Sequence, residues 1–126
     1  MRKQVSYTLL ALSAGLPAMP AAIAGEADVV AAEAIHLGND VWRFTATVRH
    51  ADEGWDHYAN SFEVVGPDGT VLGVRTLYHP HVDEQPFTRS LGNVKIDPAV
   101  QSVQIRAGDS VHGMGGKQVT VKLQRD

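Results

Sequence analysis

The chain has 126 residues, 11 Lys and Arg against 14 Asp and Glu, and a formal charge of −3 with its six histidines neutral. That acidic balance, which deepens once Arg2 and Lys3 are set aside with a leader, disfavours nucleic acid or an anionic membrane surface as partner, since both need a basic face. There is no cysteine, which excludes disulfides, thiol nucleophiles and thiolate-held metals, so any metal site must be built from nitrogen and oxygen or a methionine sulfur.

Met1-Arg2-Lys3 is a short basic start. Residues 5–16 form an apolar run of signal-peptide length, too short to span a bilayer. Pro17 and Pro20 break it, and Ala22-Ile23-Ala24 supplies a small-x-small cleavage pattern. The expectation is a signal peptide over 1–24, cut between Ala24 and Gly25, and a periplasmic or secreted protein. Residues 25–126 then make a single domain, long enough to bury a core of its own. No later segment has the apolar length of a membrane span.

Beyond the leader the pattern is period two. A strand is predicted over 29–37, followed by turn chemistry at Gly38-Asn39-Asp40. Over 41–50 the alternation is clean: Trp42, Phe44, Ala46 and Val48 share one face, and Arg43, Thr45, Thr47 and Arg49 the other. His50 falls on the apolar parity at the end of that strand. Residues 51–60 read as a polar loop in which His57 is solvated. A third strand over 61–65 and a fourth over 71–79 flank the turn Gly66-Pro67-Asp68-Gly69. A fifth strand spans 87–91. There Arg89 shares parity with Phe87 and Leu91, which calls for a bulge, a strand edge or a carboxylate partner. A sixth over 101–109 points Val103, Ile105, Ala107 and Asp109 inward. Residues 110–117 read as a glycine-rich loop, and 118–124 as the last strand.

Seven short strands separated by turn signals predict an all-β fold, an immunoglobulin or fibronectin type III-like β-sandwich. The likeness is one of layout, because the Cys…Trp…Cys signature is absent. If each strand reverses the last, the second, fourth and sixth strands end at the same pole. They deliver His50, Asp52, Asp56 and His57; then His79, His81, Asp83 and Glu84; then Asp109 and His112. Five of the six histidines converge there and only His36 lies at the opposite end.

Neutral imidazole is a common ligand of zinc and copper. The sharpest expectation is therefore a transition-metal site, copper(II) or zinc, built from His50, His79, His81 and His112 with Asp83 or Asp109 in support. His79-Pro80-His81 strengthens it, because alternate residues of an extended segment project their rings to one side and the proline stiffens the segment. Two other readings stay open. The same side chains would serve as a hydrogen-bonded network that pins the loops together, or as a surface for another ligand or a partner protein.

Other motifs fail. Gly113-Met114-Gly115-Gly116-Lys117 lacks the first glycine and the hydroxyl residue of a phosphate loop and precedes a strand instead of a helix. There is no nucleophile elbow and no His-Glu-x-x-His. The expectation is a binding or accessory protein, with a metal-dependent enzyme as the alternative. The segments Trp55-Asp56-His57-Tyr58-Ala59, His79-Pro80-His81-Val82-Asp83-Glu84-Gln85-Pro86-Phe87-Thr88-Arg89-Ser90-Leu91 and Asp109-Ser110-Val111-His112-Gly113 resemble those of a family of small exported, uncharacterised bacterial proteins. The resemblance covers roughly 41–123. It implies a small secreted sandwich and brings no activity with it.

Overall fold

The structure, a computed structural model, describes residues 25–125. The expected leader over 1–24 and its cleavage pattern lie outside the described residues. Seven strands follow in order: β1 (Asp28–Gly38), β2 (Val41–Arg49), β3 (Ala59–Val65), β4 (Val71–Thr76), β5 (Phe87–Lys95), β6 (Ser102–Asp109) and β7 (Gly113–Lys122). They form a three-stranded sheet in the order β1-β2-β5 and a four-stranded sheet in the order β4-β3-β6-β7. Every pairing is antiparallel. Among the described residues there is no helix long and apolar enough to cross a membrane.

Alternation makes the two layers. On β2 the inward set Trp42, Phe44, Ala46 and Val48 is buried while Arg43 and Arg49 face out. On the opposing sheet Phe62 and Val64 of β3 and Val103, Ile105 and Ala107 of β6 are buried against them. Burying a side chain of this size stabilises the fold by about 1.5–3 kcal/mol, and these strands supply most of the large ones. The two central strands of the four-stranded sheet thus face the central strand of the other. β1 lies along β7 at one seam and β4 along β5 at the other.

Several expected boundaries move, and the third strand starts at Ala59 while the fourth stops at Thr76, short of the expected 79. The fifth strand runs on to Lys95 through Gly92 and Asn93, whose φ of 57° marks a local irregularity. The last strand begins at Gly113, so the stretch expected to be a glycine-rich loop is largely strand. Its glycines have a packing reason. A Cβ on Gly115 would run into the Glu26 carboxylate, and one on Gly116 into the Ala27 carbonyl. The segment leading into β1 therefore lies directly on the backbone of β7. Ala27 is fully buried there, and the Lys117 amide donates to Asp28 Oδ1 at 2.8 Å.

Gly116 also has a φ of 67°, in the left-handed region. Gly116→Ala should therefore lower stability by at least about 1 kcal/mol, from backbone strain alone before the clash is added. Gly92, which has open space around it and an ordinary φ, should tolerate alanine within about 0.5 kcal/mol. Denaturant melts of the two variants beside the parent check the contrast.

Candidate metal centre at the histidine pole

The ends of β2 and β6 meet across the sandwich, and the polar cluster starts where their apolar parity runs out. His50 follows β2 and Asp109 ends β6, and both are buried. The loop from His50 to Tyr58 is folded tightly by its own backbone. The Asp52 amide donates to His50 O at 2.8 Å, the Glu53 amide to His57 O at 2.8 Å, and the His57 amide to Gly54 O at 3.3 Å. Gly54, with a φ of 97°, permits that reversal. The outcome is that His57 is turned inward. It is 8% exposed, which corrects the expectation that it is solvated.

His50 and His57 meet with their ring centroids 4.6 Å apart and their Nε2 atoms 3.2 Å apart. His57 Nε2 lies 2.9 Å from Asp109 Oδ1, and His50 Nε2 lies 3.9 Å from Asp109 Oδ2. The carbonyl oxygen of Gly25 is 2.8 Å from His50 Nε2. Among the described residues, His50, His57 and Asp109 could hold a metal ion, each offering one ligand atom within 4.8 Å of the others. Ligands of one ion at about 2.0–2.1 Å stand some 3–4 Å from each other, close to the separations found here.

Carboxylates on the far sides of the rings aim them. His50 Nδ1 donates to Asp52 Oδ1 at 2.6 Å, and His57 Nδ1 faces Glu53 Oε1 at 3.3 Å. A proton on each Nδ1 would leave both Nε2 atoms as donors to an ion, His57 Nε2 beside the Asp109 carboxylate and His50 Nε2 beside the Gly25 carbonyl. Three donor atoms then lie together, with the Gly25 carbonyl against one of them, His50 Nε2. Such a cluster needs positive charge, and either protons or a metal ion can supply it.

Asp109 is itself held firmly. Its Oδ1 accepts from the amides of Val111 at 2.9 Å and His112 at 2.8 Å, and the His112 ring Nδ1 lies 3.1 Å from Oδ1 and 3.2 Å from Oδ2. Burial opposes its ionisation, but the hydrogen bonds from His112 and Val111 and the nearby His112 ring outweigh it, and the carboxyl stays below the usual carboxylate range. His112 is thus a partner of the anion, with its ring 5.1 Å from that of His57.

Of the expected ligands, the structure brings His50, Asp109 and His112 together and leaves His79, His81 and Asp83 outside. His79 and Asp83 are exposed. The rings of His79 and His81 do lie on one side, with centroids 4.7 Å apart, but His81 is engaged elsewhere. It stacks on Phe87 at 4.0 Å, and its Nε2 accepts from Arg89 Nη2 at 2.8 Å. Arg89 sits on the inward parity of β5, an edge strand, and also reaches Glu84 at 3.4 Å. Burial lowers the basicity of His81, and the cationic Arg89 and neighbouring His79 lower it further, against a weaker pull from Glu84 and Asp52. His81 therefore stays neutral and accepts. It connects to the centre through its backbone, since its amide donates to Asp52 Oδ2 at 2.8 Å. The residue that sequence reasoning passed over is His57. Its signals were Gly54 within a five-residue turn and Glu53 four positions earlier.

A groove of about 740 Å³, lined among others by Gly25, Glu26, Arg49, His50, Gln85 and Gly116, opens beside His50, whose side chain is itself fully buried. A protein of Halomicrobium mukohataei named "Putative lipoprotein" is 35% identical over 99 residues, which are 79% of this chain and 48% of the relative. The chain thus spans about half the length of the curated relative it matches. No protein-family model matches the chain, and no solved structure does at a significant level.

Two outcomes follow for the supports of the centre. Asp52 accepts from His50 Nδ1, from the Ala59 amide at 2.9 Å and from the His81 amide. Asp52→Ala should cost about 3–5 kcal/mol, because it leaves buried donors without acceptors, and a denaturant melt reads that loss. For His81, whose folded form disfavours the proton, stability is full above the ordinary imidazole value of about 6.5. It is lost as the pH falls below that value, where the unfolded chain takes up a proton that the folded chain refuses. Thermal melts with a chelator between pH 7.5 and 5 should show a stability advantage of the parent over His81→Gln that shrinks in acid. An advantage independent of pH would contradict this account.

Proposed function

We propose that the chain is a small exported binding protein that holds one transition-metal ion, copper(II) or zinc, at the pole where β2 and β6 end. The ligands are His50 Nε2, His57 Nε2 and the Asp109 carboxylate, with Asp52, Glu53 and His112 orienting them. The observation that carries the reading is the meeting of the His50 and His57 Nε2 atoms beside the buried Asp109 carboxylate, with each ring's other nitrogen facing an acid. Imidazole and carboxylate without sulfur favour zinc or copper(II) over copper(I). Export is supported by the leader-like residues 1–24 and by the relative named as a lipoprotein. The strand order also supports an immunoglobulin or fibronectin type III kind of sandwich: β1, β2 and β5 occupy the places of strands A, B and E, and β3, β6 and β7 those of C, F and G. β4 pairs with β3 in place of β5, which is where an immunoglobulin constant domain departs from this arrangement.

One observation favours a second reading. His50 Nδ1 and Nε2 each stand within 2.8 Å of an oxygen, which suits a doubly protonated ring that pins Gly25 to the pole without any metal. Titration separates the two. The parent protein should bind one equivalent of copper(II) or zinc, and binding should weaken in acid as protons compete for the same lone pairs. His57→Ala should bind at least tenfold more weakly, while His79→Ala should match the parent. Equal binding by His57→Ala, or none by the parent, leaves the pole as a network that holds loops together.

A further inference from the structure

We infer that the α-amino group of Gly25, freed by cleavage after Ala24, completes this metal site as a chelate with its own carbonyl oxygen, so that the site closes fully only on the processed chain. The inference rests on the metal-binding reading and adds a ligand and a maturation step to it. The Gly25 carbonyl stands 2.8 Å from His50 Nε2, one of the three grouped donor atoms. The amino nitrogen of the same residue is joined to that oxygen through the Cα and carbonyl carbons. An ion bound by the oxygen therefore closes a five-membered ring with the amine. Before cleavage that nitrogen is a peptide nitrogen whose lone pair is delocalised into the Ala24 carbonyl, and it is no ligand. After cleavage it is an amine, which binds once its extra proton is released.

The terminal segment is built to stay where this needs it. Ala27 is fully buried, Asp28 is held by the Lys117 amide, and Gly115 and Gly116 supply the space in which Glu26 and Ala27 lie. Glycine at position 25 leaves the approach uncrowded, since no atom lies within 4 Å of where a Cβ would project. Two imidazoles, one carboxylate, an amine and a carbonyl form an N- and O-donor set suited to copper(II) or zinc. They give an exported protein a reason to load its ion after its leader is removed.

The experiment compares exported protein with its natural amino terminus against a variant carrying Gly-Ser inserted between Ala24 and Gly25, in which position 25 keeps its carbonyl but its nitrogen becomes an amide. Mass spectrometry reads the terminus of each purified form, and copper(II) alone is the probe, with His57→Ala as reference. The natural form should bind at least tenfold more tightly than the extended form, and the extended form should still bind more tightly than His57→Ala. Equal affinities of the natural and extended forms overturn the amine's role and leave the metal site standing. An exported protein that does not begin at Gly25 overturns it as well. Absence of copper binding by both forms overturns the metal reading together with this inference.

Discussion

The two carboxylate oxygens of Asp52 hold three separate segments in register. One oxygen takes the ring proton of His50 and the amide of Ala59, where β3 begins; the other takes the amide of His81 in the long connection from β4 to β5. Asp52 itself is buried. A buried carboxylate is costly unless its lone pairs are filled, and here donors from three places in the chain fill them. The same contact decides which nitrogen of His50 keeps its proton. Loop closure and the orientation of the centre therefore rest on one side chain.

Around that point the pole divides its charges. Asp109 collects amide donors from its own loop, in the manner of an Asx turn, and remains an anion. Arg89 carries the positive charge on the neighbouring flank, where neutral His81 accepts from it. The imidazoles at this end are thus not interchangeable. His81 is a packing and hydrogen-bonding residue, His112 is a partner of Asp109, and His50 and His57 face each other.

The strands were legible because burial repeats every second residue, and Trp42 to Val48 on β2 shows it most plainly. The same parity carried His50 and Asp109 to the inward face at adjacent strand ends. His57 was not legible that way. Its burial comes from a reversal at Gly54 inside a loop, and parity has no meaning where the backbone is not extended. The pair His79 and His81 shows the opposite failing. The rings do share a side, but the expected strand stops at Thr76, short of both histidines, and which side they face depends on Phe87 and Arg89 of an edge strand. Gly115 and Gly116 misled in a third way, since glycines that suggest a loop can equally mark a strand on which another backbone lies close.

The close contact of residues 26–28 with β7 has a bearing on solubility. β7 is the outer strand of its sheet, and an outer strand offers unpaired backbone groups to any other chain with a free edge. Where Gly115, Gly116 and Lys117 would present such groups, the entering segment lies across them and Asp28 takes the Lys117 amide proton. Residues 26–28 thus act as a cover strip over a sheet margin. A chain trimmed past Asp28 would bare that margin to sheet-to-sheet association between molecules and would also take the buried Ala27 out of the core.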